Sequence, residues 1–544
     1  MENKKLKIII IILSGIFLIA SIGATIFVIK NHQKLKAKEN TPENTNGVIS
    51  PIKTQAETKI YFVGDIMLDR GVLSSVNKNF NGNFSELFKN VTELKNADIL
   101  FGNLEGPVSD VGNNVGSKYS FRMNPSVLTT LKDVGFNILS FANNHVGDWN
   151  VSAFNDTLKR LGENNILATG AGINKDYAAL PVIIEKNGIR FGFLGFSDVG
   201  PNWMEAKENK PGILLASDPN FSSIIKTAKE NTDVLIVSIH FGEEYEEIHN
   251  KKQENLAHLA IDAGADMIIG HHPHVIQDIE YYKEKPIFYS LGNFIFDQYF
   301  SKETMRGMVV MATFDGKELK NIESLISLQN KKYQIVGLYK KEELSDNEEI
   351  LNSNCPKPVR DYEDFSLLNI GQNVGLPDKN YTPKNLVELG GLSTNKNFCL
   401  TIETKKALEN MINGALKENL KIKATSAFRD YNTQASIFNN SIKTLSDYLV
   451  AVAKPGYSEH QLGTTVDLSG ATIGYTSANV SFDNTPEELW LRDNAYKYGF
   501  IMSYPYLKEK ITGYKYEPWH YRYVGIDLAK KINDSELTLV EYLK

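Results

Sequence analysis

Between Thr58 and Leu338 one pattern recurs: a short apolar run that ends in Asp, Glu, Asn or His. Lys59-IYFV-Gly64 runs into Asp65, and Asp98-ILF-Gly102 into Asn103-Leu104-Glu105. Phe136-NILSFA meets Asn143-Asn144-His145, Asp233-VLIVSI meets His240, and Asp266-MIIG meets His271-His272-Pro273-His274. Pro286-IFYSLG leads to Asn293 and then Asp297. Unbroken runs of β-formers of this kind are strands buried on both faces. Helical stretches at Pro125–Val134, Val151–Asn164 and Lys251–Ala263 separate several of them, so the expected fold here is a layered α/β domain. In such folds ligands bind beyond the carboxyl ends of the strands, which is where these polar clusters fall.

That placement narrows the chemistry. The chain has only two cysteines, Cys355 and Cys399, too few for a four-thiolate zinc site or a disulfide scaffold. Asp, Glu, Asn and neutral His gathered from separate strand ends form a mixed N/O donor set, which suits Mn, Fe or Zn. Two such ions sharing a carboxylate activate water and clamp a phosphoryl or acyl oxygen. Any one of these histidines serves equally well as a local hydrogen-bond partner at a strand end. Five histidines together with acids at the same ends favour the metal reading. With 59 basic against 65 acidic side chains and a net charge of −6, no basic excess exists to hold nucleic acid.

From Asn385 to Lys544 the signals change. Thr404–Leu420 has the apolar spacing of an amphipathic helix, and Lys421-IKATS reads as a strand entering a loop that carries Ser426, Arg429 and Gln434. His460 and Asp467 flank Gly463, so a loop histidine and a strand aspartate can face one metal, with His520 as a third ligand and a fourth position left for water. That is the pattern of a catalytic zinc. Glu517, three residues before His520, is placed to act as general base. Arg429 is a permanent cation whose fork matches a substrate carboxylate or a developing oxyanion.

Ile8 to Ile29 are 22 residues without a charge, preceded by Lys4, Lys5 and Lys7. That length spans a hydrocarbon core of about 30 Å. The expected organisation is a membrane anchor at 1–30, a polar stalk at 31–57, an α/β domain at 58–340, a linker at 341–384 and a smaller α+β domain at 385–544. Lysines flank the apolar run on both sides, so charge alone does not orient it.

Six motifs carry a resemblance: GDIMLDR (64–70), NLEG (103–106), ANNHVGD (142–148), HFGEEY (240–245), GHHPHVIQ (270–277) and YSLGNFIFD (289–297). Together they resemble the CapA/PgsA family of poly-γ-glutamate capsule synthesis, which implies a calcineurin-like metallophosphoesterase fold. The resemblance implies a divalent-metal centre of Asp65, Glu105, Asn144, His240, His272 and His274, with His145 as a catalytic histidine. Poly-γ-glutamate or other capsule-polymer machinery is the implied partner. Two departures stand out. Met67 occupies the position two after the first aspartate, where typical phosphoesterases have histidine, and Phe241 replaces a common tryptophan.

SAFRDYNTQ (426–434), SEHQLGTTVD (458–467) and EPWHYR (517–522) carry a second resemblance, to the VanY-type D-alanyl-D-alanine carboxypeptidases of the zinc peptidase M15 family. It implies that His460, Asp467 and His520 bind Zn²⁺ and that Glu517 is the catalytic base. Arg429, Ser426, Gln434 and Ser458 would line the substrate pocket. Thr465 stands where the family commonly has alanine. Peptidoglycan stem peptides, the implied substrate, lie outside the membrane, so the expected orientation is N-terminus in the cytoplasm and both domains at the cell surface. Outside, Cys355 and Cys399 are free either to pair or to remain thiols.

Overall fold

The computed structural model describes residues 56–358, 370–371, 374–376, 378–442 and 452–544. The expected anchor at 1–30, and all but the last two residues of the stalk, lie outside the described residues. Among the described residues no helix is long and apolar enough to cross a membrane.

The first part of the chain builds two sheets. The larger has eight strands, in the order Ile335–Tyr339, Glu318–Gln329, Arg306–Asp315, Thr58–Ile66, Ile99–Leu104, Phe136–Ser140 and Leu167–Thr169, with Asn293–Ile295 also pairing with Thr58–Ile66. The smaller has six, with Lys285–Phe288, Met267–His271, Val234–His240 and Ile189–Ser197 running parallel at its centre. Ile99–Leu104, Val234–His240 and Met267–His271 are buried along their whole length, as continuous apolar runs require. The antiparallel strands Glu318–Gln329 and Ile335–Tyr339 carry half-exposed, mixed-polarity patterns, Arg306–Asp315 beside them is mostly buried, and the sequence reading names no strand in any of the three.

Phe62, Phe101 and Ile138 of the larger sheet meet Phe193, Ile236 and Ile269 of the smaller across the inner layer. The Phe101 and Phe193 rings stack at 5.8 Å. Each such buried side chain contributes about 1.5–3 kcal/mol. Helix Val127–Val134 covers the outer face of the larger sheet, and Phe221–Glu230 and Lys251–Asp262 cover that of the smaller. Gly135, at φ 118°, ends the first of these, a left-handed conformation that favours glycine. Asn250 and Gln253 form a capping box that starts the last. The result is a four-layer α/β/β/α arrangement. Its parallel registers align Asp65 with Asn103 and His240 with His271, so the polar run-ends meet at one edge.

The second part is α+β. Four antiparallel strands, Ile422–Ser426, Thr465–Gly470, His520–Tyr523 and Phe500–Met502, pack against helix Ile402–Leu416 through Leu408, Met411, Val466, Leu468 and Tyr521. Gln434, expected in a loop, lies in helix Tyr431–Ile442. Within 341–384, Leu344–Asn352 is helical, with Asp346 and Glu349 paired to Lys406 and Lys405 of the second part. Cys355 and Cys399 form a disulfide. Further on, Leu376 N donates to Gly456 O at 2.7 Å and Gln461 Nε2 to Lys379 O at 2.9 Å, so this stretch packs on the peptidase-like domain.

Candidate functional site

Strand pairing assembles the second-domain site. Asp467 lies opposite His520 on one side and Ser426 on the other. The left-handed turn at Gly463 returns the chain from His460 into the strand bearing Asp467. As a result His460 Nε2 and His520 Nδ1 lie 3.3 and 3.2 Å from Asp467 Oδ1. His460 Nε2 and Asp467 Oδ1 are buried without a hydrogen-bond partner, an arrangement that costs free energy unless a cation fills the gap. Two imidazoles and one carboxylate converging in this way fit a divalent ion of the zinc type.

The outward nitrogens are fixed. His460 Nδ1 donates to Ala427 O at 2.6 Å, and His520 Nε2 lies 3.0 Å from Glu459 Oε2. Glu459, which the sequence reading passed over, also accepts from Ser503 Oγ at 2.7 Å and from Arg522 at 2.8 Å. Its signal was its position immediately before a ligand histidine. Burial raises the Glu517 carboxyl to about 7, with His520 opposing the shift. Its side chain is 13% exposed and stands 3.4 Å from His520 Nδ1. Burial, then the Arg429 cation, pulls His460 down to about 4. Burial acts against charge on His520 too, but Asp467 and Glu459 outweigh it and hold the ring up at about 10.

Arg429 is tied in by its backbone N–H to His460 O, and its buried Nε has no partner. Gln434 Nε2 donates to Ala453 O at 2.7 Å and leaves its own Oε1 partnerless. Ser458 is buried beside Glu459, and Ser426 is half-buried at the end of its strand.

The first domain gathers its expected residues at the sheet edge. Asp65 Oδ1 accepts from Asn103 Nδ2 at 2.9 Å and faces His271 Nδ1 at 3.1 Å, while Oδ2 lies 3.3 Å from His274 Nδ1. His240 Nε2 lies 2.9 Å from Asn144 Oδ1, and its ring sits 4.9 Å from that of His272. His145 faces Glu105 at 3.9 Å and is oriented by Asp148, 2.7 Å from its Nδ1, a partner the sequence reading did not assign. His272 and His274 hold φ values of 101° and 60°, strain of the kind found at functional sites. Burial pushes the Glu105 carboxyl well up and His272 down to about 3. Burial also opposes charge on His274, but Glu105 overrides it and lifts the ring to about 9. A buried carboxyl among imidazoles, with its Oε1 lacking a hydrogen-bond partner, is a donor set that a divalent cation would satisfy. Met67 takes no part in it and packs with Phe121 and Phe296. Of the remaining histidines among the described residues, His249 bonds Asp278 at 2.8 Å and His258 bonds Glu280 at 2.8 Å.

These two donor sets fall inside two matched family models. Residues 59–298 match the bacterial capsule synthesis protein PGA_cap, and residues 397–526 match D-alanyl-D-alanine carboxypeptidase, VanY. A D-alanyl-D-alanine carboxypeptidase of Enterococcus faecalis is 33% identical over 198 residues, covering 34% of this chain and 69% of that protein. The chain belongs to the VanY D-alanyl-D-alanine carboxypeptidase family. Its VanY domain follows a PGA_cap region. Over that region the PGA biosynthesis protein CapA of Bacillus subtilis is 38% identical across 254 residues, 44% of this chain. The chain spans 63% of that relative's length. A solved structure of the LdcB LD-carboxypeptidase is 40% identical, covering 32% of this chain and 83% of its own, with a TM-score of 0.30. His460, Asp467, Glu517 and His520 all lie within the VanY match.

Proposed function

We propose that the VanY domain is a zinc D,D-carboxypeptidase that removes the terminal D-Ala from peptidoglycan stem peptides. The observation that carries this reading is the convergence of His460 Nε2, Asp467 Oδ1 and His520 Nδ1, with Glu517 3.4 Å from the last. Zn²⁺ held by these three residues supplies Lewis-acid polarisation of the scissile carbonyl and an acidified water. Glu517, with a carboxyl poised near neutrality by burial, takes the proton from the attacking water and delivers it to the departing D-Ala nitrogen. Arg429, whose Nε lacks a partner, offers its fork to the C-terminal carboxylate or the developing oxyanion. Ser426, Gln434 and Ser458 line the substrate side.

The protein acts at the cell surface, anchored by its N-terminal apolar run with the N-terminus in the cytoplasm. The Cys355–Cys399 disulfide supports that placement, because such bonds persist in oxidising compartments. The PGA_cap region adopts a calcineurin-like metallophosphoesterase fold and holds a divalent metal, Mn, Fe or Zn, through Asp65, Glu105, Asn144, His240, His272 and His274, with His145 at the reacting centre. The match of residues 59–298 to PGA_cap supports a second reading, in which this region works on a capsule polymer such as poly-γ-glutamate and is the main functional unit.

The test is D-Ala release from a stem-peptide analogue by the zinc-loaded full chain. Glu517→Ala is expected to lower kcat by about 10²–10⁴-fold with zinc still bound. Zinc-loaded wild-type protein that releases no D-Ala overturns the carboxypeptidase reading.

A further inference from the structure

Glu244 is not among the ligands expected for the PGA_cap region, yet one donor atom from each of Glu244, His272 and His274 lies within 4.8 Å of the other two. The loop that carries it is pinned. Gly242 and Tyr245 take φ values of 98° and 70°, and Tyr245 N donates to Pro273 O at 2.8 Å, which laces this loop to the turn holding both histidines. Tyr245 Oη accepts from Gln298 Nε2 at 3.2 Å on the other side.

Two buried neighbours have unmet polar atoms. Glu105 is fully buried, and its Oε1 has no hydrogen-bond partner although it stands 3.6 Å from His274 Nε2. His272 is 7% exposed, and its Nδ1 has no partner. The other nitrogen of His274, Nδ1, faces Asn293 Oδ1 at 3.0 Å, which leaves Nε2 as the nitrogen available to a ligand. Polar atoms stranded this way inside a protein cost free energy unless something satisfies them.

We propose that Glu244 is a metal ligand, and that it joins His272 and His274 in one site for a divalent transition metal. The carboxylate offsets part of the charge of such an ion, and the two imidazoles select the Mn, Fe and Zn class over Ca. The buried His272 and His274 supply the inner side of the site, and the exposed Glu244 supplies its solvent side. The inference rests on reading the PGA_cap region as a metal centre and is independent of the peptidase assignment.

The full chain, its peptidase centre first loaded with Zn²⁺, is titrated with Mn²⁺ while the free ion is followed by its electron paramagnetic resonance signal. Wild-type protein is expected to bind Mn²⁺. Glu244→Gln and His272→Ala are expected to weaken binding by about tenfold or more, the low end of what losing even an outer partner of a ligand costs. Glu244 is on the surface, so Glu244→Gln keeps the test decisive should His272→Ala not fold. Loss of Mn²⁺ binding in His272→Ala with wild-type affinity in Glu244→Gln overturns the role of Glu244 alone. No Mn²⁺ bound by wild type overturns both this inference and the metal-centre reading.

Discussion

Glu459 Oε2 lies 3.0 Å from His520 Nε2, while Nδ1 of the same ring faces Asp467 Oδ1 at 3.2 Å. One carboxylate therefore sets which nitrogen of His520 turns inward. A ligand histidine whose other nitrogen is held by a carboxylate keeps its tautomer and ring orientation.

Replacing Glu459 with Gln should therefore loosen zinc without removing a ligand. Competition against a chelator is expected to show about 10–100-fold weaker zinc retention in Glu459→Gln, with His460 and Asp467 still in place. Unchanged retention would mean that an amide oxygen, held in place by Ser503 and Arg522, orients the ring as well as the carboxylate does.

Arg429→Lys keeps the positive charge and removes the planar fork. A charged hydrogen bond contributes about 1.5–3 kcal/mol, so kcat/KM for a stem-peptide analogue should fall by about 10–150-fold. Zinc content measured on the same preparation should match wild type, because the substitution keeps both the charge beside His460 and the backbone bond to His460 O.

Asp266 provides the pH-dependent prediction. Burial raises its carboxyl, but Lys229, the backbone N–H of Leu235 and Lys285 outweigh it, and the folded pKa lies below the usual value. A depressed carboxylate contributes stability above its unfolded pKa, about 3.9, and loses it as pH falls through the lower folded value. Asp266→Asn should cost about 1–3 kcal/mol in urea unfolding at pH 7, and the gap to wild type should close as pH drops below about 4. A gap independent of pH would show that the amide's shape, not lost charge, is responsible.

The Cys355–Cys399 bond closes a loop of 44 residues that carries much of the 341–384 stretch. Cys355→Ser/Cys399→Ser is expected to destabilise the second domain by about 2–4 kcal/mol. Loss of the melting-temperature difference between the two proteins under reducing conditions would confirm the bond as the cause.

The strand-end pattern from Asp65 to Asp297 and the spacing of His460, Asp467, Glu517 and His520 were legible in sequence, because each depends on residue type at the end of a locally determined element. The same holds for the α/β character of the first domain. Buried strands need unbroken apolar runs, and such runs are visible without a partner strand. What the linear order could not carry was pairing. Glu318–Gln329 and Ile335–Tyr339 are half-exposed and lack the apolar signature, so only pairing onto the buried strand Arg306–Asp315, itself beside Thr58–Ile66, makes them part of the sheet. Glu459 meets His520 only when elements 61 residues apart in sequence pack together, whereas Asp148, three residues after His145, is a local partner. The sequence by itself determined which residue types stand ready at the strand ends. Only the tertiary structure decided which nitrogen of each histidine faces inward, since that choice belongs to the atom on the far side of the ring.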